Sequence, residues 1–129
     1  MEKGIDDQLA RQMYQEHILE LYKHPHNSGK LEGATGKHQS FNPLCGDNIT
    51  MQVAVRNGKV ENIKFIGAGC AISIAAASML TDAVKGKTVS EIMKMKREDL
   101  LSMVKIPVSH VRLKCVLLPL EALQRALSG

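Results

Sequence analysis

The feature that most limits what this chain can become is an alternating run closed by a two-residue turn. Ile49, Met51, Val53 and Val55 alternate with Thr50, Gln52, Ala54 and Arg56, the period of two expected of a strand with one face buried. Asn57-Gly58 follows, a pair that accepts the two positive φ angles of a tight hairpin turn. "KVENIKFI" then returns as the partner strand. Antiparallel pairing about that turn brings the start of the first strand and the end of the second to one edge of the sheet. Cys45 stands 12 residues before Asn57 and Cys70 stands 12 after Gly58, so two thiols remote in sequence become neighbours.

The rest of the chain reads mostly as helix. Leu9, Met13, Tyr14, Ile18, Leu21 and Tyr22 recur at helical spacing and predict an amphipathic helix over 8–23, which Pro25 cannot continue. Residues 24–42 are polar and rich in Gly, Asn and Ser, predicting a loop with a short polar edge strand near 37–41. After "GAGC", an alanine-dense helix over 71–85, buried on most sides, is expected to stop at Gly86. Thr88-Val89-Ser90-Glu91 fits a capping box, and "REDLLSMV" predicts a further short helix before a break at Pro107. The segment from Ser109 is helical again, with Pro119 expected to kink it or split it in two. One helix, a small antiparallel sheet of about three strands and then several helices define an α+β domain, the helices gathered against one face of the sheet. At 129 residues the chain is the size of one domain, 1–129.

Composition excludes several functions. Aromatic residues make up only 3% and Trp is absent, so there is little to stack on nucleic-acid bases. The net charge of +4 is scattered, with no basic run, and a nucleic-acid partner is not expected. No apolar stretch approaches the roughly 20 residues of a membrane span, and "MEKGIDDQLARQMYQEH" lacks the apolar core of a secretory signal. A cytoplasmic protein is expected, free of the membrane. Met79, Met93, Met95 and Met103 read as core filler. Leu113, Val116, Leu117 and Leu120 fit a core face or a homo-oligomer face equally.

The chemistry lies in three cysteines and one aspartate. Cys45, Cys70 and Cys115 cannot all pair, and their wide spacing excludes a local CxxC finger; in a reducing compartment they are thiols or ligands. In "NPLCGD", Gly46 allows backbone angles that turn Cys45 and Asp47 toward one object. Cys70 falls at the start of a helix, where unpaired backbone N–H groups favour its thiolate form. Gly67 and Gly69 are expected to give the segment before it freedom to move. Cys115, in "RLKCVLLPL", is a small core residue unless the last helix packs across the same sheet edge. Three thiolates and a carboxylate would make a tetrahedral set suited to zinc or to iron in a sulfide-bridged cluster. The hard carboxylate would make it a loose holder of a soft cluster.

These stretches, together with "LYKHPHNSGKL", "NGKVENIKFIGAGCAISIAAASMLTDAVKGK" and "RLKC", give a chain that resembles the IscU/SufU/NifU N-terminal family of iron-sulfur cluster assembly scaffolds over nearly its whole length. The resemblance implies an α+β fold and cluster ligation by Cys45, Asp47, Cys70 and Cys115. It implies assembly of a [2Fe-2S] cluster from iron and from sulfur delivered as persulfide by a cysteine desulfurase, with transfer to iron-sulfur acceptor or carrier proteins. Such a protein binds and transfers rather than catalyses in the usual sense. Cys115 is the expected persulfide acceptor in a scaffold, and Cys45 in the alternative, a SufU-like sulfur acceptor holding Zn2+. Two departures bear on that choice. Lys114 stands where the IscU branch has a histidine, as in SufU-like members, while the SufU insertion before the third cysteine is absent and "IPVSHVRLK" replaces the chaperone-binding stretch of IscU. His110, five residues before Cys115, is read as exposed or capping, and Lys114 as either solvated or facing an incoming persulfide or cluster charge.

Overall fold

The computed structural model describes residues 2–43, 46–105 and 108–128, with side chains from residue 12 onward. Its elements are α1 (Glu2–Lys23), β1 (Gly36–Asn42), β2 (Asp47–Arg56), β3 (Lys59–Ala68), α2 (Ala71–Val84), α3 (Val89–Met93), α4 (Arg97–Val104) and α5 (His110–Ser128). The break expected at Pro107 lies outside the described residues. The three strands form one antiparallel sheet in the order β1-β2-β3. The class is α+β, as the pattern requires.

The hairpin forms because Asn57 and Gly58 both take positive φ, +55° and +76°. Its register is not the symmetric one. Val55 pairs with Val60 but Ala54 pairs with Asn62, so Glu61 is an extra residue on β3. Beyond this bulge every pairing moves by one, and the last pair joins Asn48 to Ala68.

One face of β2 carries Ile49, Met51 and Val53 into the core, where they meet Ile63 and Phe65 of β3. On that face α5 crosses β1 and β2, and α2 packs against α5 and β3. Ala75, Ala76 and Ala77 are fully buried, and their small side chains let neighbouring elements close in on α2. The loop after α1 runs along β3, where Asn27 and Gly29 exchange backbone hydrogen bonds with Phe65 at 2.8 and 3.0 Å. This covers an otherwise open sheet edge. The buried Gln52 is satisfied by the same loop, accepting from the Leu31 amide at 3.0 Å and donating to the Gly29 carbonyl at 2.9 Å.

The stretch "HPHN", residues 24–27, is tied to α2 through His26 and Asn27. His26 Nδ1 lies 2.6 Å from Asp82 Oδ2, and Asn27 Nδ2 donates to Asp82 Oδ1 at 2.8 Å and to Thr81 Oγ1 at 2.9 Å, pinning the loop to α2. Burial pushes the Asp82 carboxyl up, but the hydrogen bonds from His26 and Asn27, with the charges of His26 and Lys85, outweigh it and carry the pKa below 3.8. A carboxyl depressed in the folded state stabilises above its unfolded pKa, and that stabilisation is lost as pH falls through the folded value. Asp82→Asn is therefore expected to unfold at lower urea than the parent at neutral pH, the gap closing below about pH 3.8. Urea titrations across that range check it.

Two expectations are corrected, and two that held alternatives are narrowed. Only Ile18 and Leu21 of the α1 stripe are buried, whereas Met13, Tyr14 and Tyr22 are exposed; the side chain of Leu9 lies outside the described residues. At 1.5 Å per residue α1 is about 33 Å long and α2 about 21 Å, so α1 overhangs the helix it rests on. Met93 is 42% exposed rather than core filler, because α3 is a single short turn with only Ile92 directed inward. Helix α5 runs through Pro119 without splitting, the proline ring itself being buried. Of the stripe that fits a core or an oligomer face, Val116 and Leu120 enter the core, while Leu113 and Leu117 are half-buried.

The capping box of α3 is present, with Thr88 Oγ1 accepting from the Glu91 amide at 3.1 Å and Glu91 Oε1 accepting from the Thr88 amide at 3.2 Å. Thr88→Ala is expected to cost about 1 kcal/mol of stability, read as a lower midpoint in urea.

Candidate metal centre

Asn42 and Asp47 form the pair that closes the turn between β1 and β2, and the Gly46 amide donates to the Asn42 carbonyl at 2.8 Å across it. Gly46 has φ +75°, the conformation for which glycine is suited. Cys45 lies outside the described residues. Because Glu61 shifts the register, the step beyond Asn48–Ala68 sets Asp47 beside Gly69 and Cys70. Cys70 is the N-cap residue of α2.

Asp47 is 2% exposed and its carboxylate grips the start of α2. Oδ1 accepts from the Cys70 amide at 3.0 Å, and Oδ2 accepts from the Cys70 thiol at 3.4 Å. There is no room for a side chain at residue 69, since a Cβ there would sit 2.5 Å from Asp47 Oδ1. At Gly67 a Cβ would meet Ile49 Cδ1 at 2.6 Å. These two glycines serve close packing rather than the mobility expected of them.

Cys115 comes from α5 and is buried, its Sγ accepting from Asn42 Nδ2 at 3.7 Å. The ligand atoms of Asp47, Cys70 and Cys115 all lie within 4.8 Å of one another. Thus a hairpin turn, a helix start and a second helix deliver one carboxylate and two thiols to one point. The set lines a cleft of about 670 Å³ together with His110, Arg112 and Lys114 from the start of α5. His110 lines the cleft but does not join the cluster, in keeping with the reading of it as exposed.

Asn42 was not singled out by sequence. It opens "NPLCGD" and closes the turn, but its meeting with Cys115 depends on how α5 docks. Ser73 was missed too; its hydroxyl donates to the Cys70 carbonyl at 3.0 Å and lies 3.8 Å from the Cys70 sulfur.

Fold and site together define a class, that of α+β domains which gather soft thiol donors and a carboxylate at one end of a three-stranded sheet. The chain belongs to the family described as NifU-like N terminal domain, whose model matches residues 13–129. It is 36% identical over 115 residues to the protein of Archaeoglobus fulgidus named iron-sulfur cluster assembly scaffold protein IscU 1, spanning 89% of this chain and 74% of that one. It is 39% identical over 85 residues to the zinc-dependent sulfurtransferase SufU of Bacillus subtilis, spanning 66% of this chain and 57% of that one. The crystal structure of FiSufU from Fervidobacterium islandicum AW-1 superposes with a TM-score of 0.75 at 29% identity, over 87% of this chain and 94% of that one.

Proposed function

We propose that the protein is an iron-sulfur cluster assembly scaffold. It takes iron, and sulfur delivered as persulfide by a cysteine desulfurase, builds a labile [2Fe-2S] cluster on Cys45, Asp47, Cys70 and Cys115, and passes it to acceptor or carrier proteins. The observation that carries this reading is the meeting of Asp47, Cys70 and Cys115 from three separate elements. Thiolates suit iron bridged by sulfide, while a carboxylate is the harder donor and releases a soft cluster more readily. That mixture fits a holder that must let go. The relatives named as scaffolds cover more of the chain than the one named as a sulfurtransferase.

A second reading has its own support. Two thiols and a carboxylate also fit a tetrahedral zinc site, and Lys114 stands in place of an imidazole ligand beside Cys115. In that reading zinc would be held by the same residues, and the protein would accept sulfur from the desulfurase. Anaerobic reconstitution with iron and sulfide separates the two. A scaffold is expected to develop the visible absorption of a [2Fe-2S] cluster and to lose it to an acceptor protein. Protein that keeps stoichiometric zinc through iron loading would support the second reading against the first.

No helix among the described residues is long and apolar enough to cross a membrane. We place the protein in the cytoplasm, where reduced thiols persist.

A further inference from the structure

The cleft is far larger than a metal ion, and its lining holds both acidic and basic side chains. Its lining joins Asp47, Cys70 and Cys115 to His110, Arg112 and Lys114 from the first turns of α5. Cations at a helix N-terminus oppose the helix dipole, and the first turn of α5 has no acidic residue to offset them. Among the described residues neither Arg112 nor Lys114 is in an ion pair. Both are exposed, and Val111 between His110 and Arg112 is 82% exposed. Broken local rules of this kind mark places kept for something other than stability.

We propose that Arg112 and Lys114 make the cleft an entry port for a small anionic sulfur donor, a low-molecular-weight hydropersulfide bearing a carboxylate. This rests on the reading of the site as one that accepts sulfur. The cations draw the carboxylate to the mouth and hold the donor's outer sulfur toward Cys70, the more open of the two described thiols. The Cys70 thiolate attacks the outer sulfur of R–S–SH; the Sγ–S bond forms, the donor's S–S bond breaks, and the electron pair leaves on RS⁻. The outer sulfur keeps its proton, so Cys70 ends as Cys–S–SH and no outside oxidant or reductant is needed. A cleft of about 670 Å³ lies within the range of small-molecule sites.

The test uses the reduced, metal-free chain and two donors, the hydropersulfide of 3-mercaptopropionate and that of its uncharged amide. Sulfur gain at Cys70 is followed by peptide mass, and the ratio of the two rates is taken. Both donors meet the same thiolate, so the ratio cancels changes in its ionisation and in its exposure. Arg112→Glu with Lys114→Glu is expected to lower the ratio roughly tenfold, and salt to erode the parent's preference. Arg112→Gln with Lys114→Gln should fall between. Lys59→Glu with Lys87→Glu, which makes the same change in net charge away from the cleft, should leave the ratio unchanged. A ratio that moves less than twofold in the cleft variant, or equally in the remote one, overturns the proposal. Cluster formation by the same proteins is scored separately, so a parent that binds no metal yet shows the preference refutes the scaffold and not the port.

Discussion

Cys70→Ser is expected to lower metal affinity by more than about 100-fold, beyond the 10–100-fold that removal of an outer-shell partner costs. The serine hydroxyl is of similar size but does not ionise near neutral pH, so a soft anionic donor is lost and nothing of like chemistry replaces it. The fold should hold. Ser is a favoured N-cap, and Cys70 supplies no side-chain cap bond of its own for the change to remove. A urea midpoint near the parent's with metal binding lost is therefore the expected pair of results, read by unfolding and by competition with a chromogenic chelator. Retained affinity would show that Cys70 is not a ligand.

The second large effect belongs to a residue with no side chain. In Gly69→Ala the new methyl would sit 2.5 Å from Asp47 Oδ1 and 2.6 Å from its Cγ, closer than real contacts allow. Asp47 cannot shift without losing its bonds to the Cys70 amide and thiol. We expect a stability loss of about 1–3 kcal/mol and a fall in metal affinity of about tenfold or more. A double-mutant cycle identifies the cause: with Asp47→Ala already in place, the clash with Oδ1 and Cγ is gone and Gly69→Ala should cost clearly less than in the parent, keeping only the backbone strain at φ +159° and the 3.0 Å approach to the Cβ of residue 47. Additive losses would mean that the methyl acts through the backbone and not through the carboxylate.

Much of this was legible in the sequence, and for stated reasons. Asn57-Gly58 announces its turn because few other residue pairs accept positive φ at both positions, and Thr88 with Glu91 announces a helix start because each satisfies the other's backbone amide. The bulge at Glu61 was missed although a signal exists. Val60, Ile63 and Phe65 are all buried, and a gap of three followed by a gap of two cannot belong to an unbroken alternating strand. Counting across a symmetric turn gave the right edge of the sheet, but only the bulge sets Asp47 against Gly69 and Cys70. The approach of Cys115 was not readable from pattern or spacing and was expected only through the family resemblance, since it depends on α5 crossing β1 and β2, a packing choice made by the whole core. The exposed face of α1 was misread because periodicity reports an apolar stripe and not the length of what will cover it.

The central claim is that one inorganic guest is held jointly by the thiols and by Asp47. X-ray absorption at the iron edge of anaerobically reconstituted protein tests it most directly, because it counts sulfur and oxygen neighbours. The expected result is a set of nearest neighbours dominated by sulfur with a minor oxygen component, an iron–iron scatterer, and loss of the oxygen component in Asp47→Ala. A shell made only of oxygen and nitrogen, or one unaltered by replacing Asp47, Cys70 and Cys115 in turn, would contradict it.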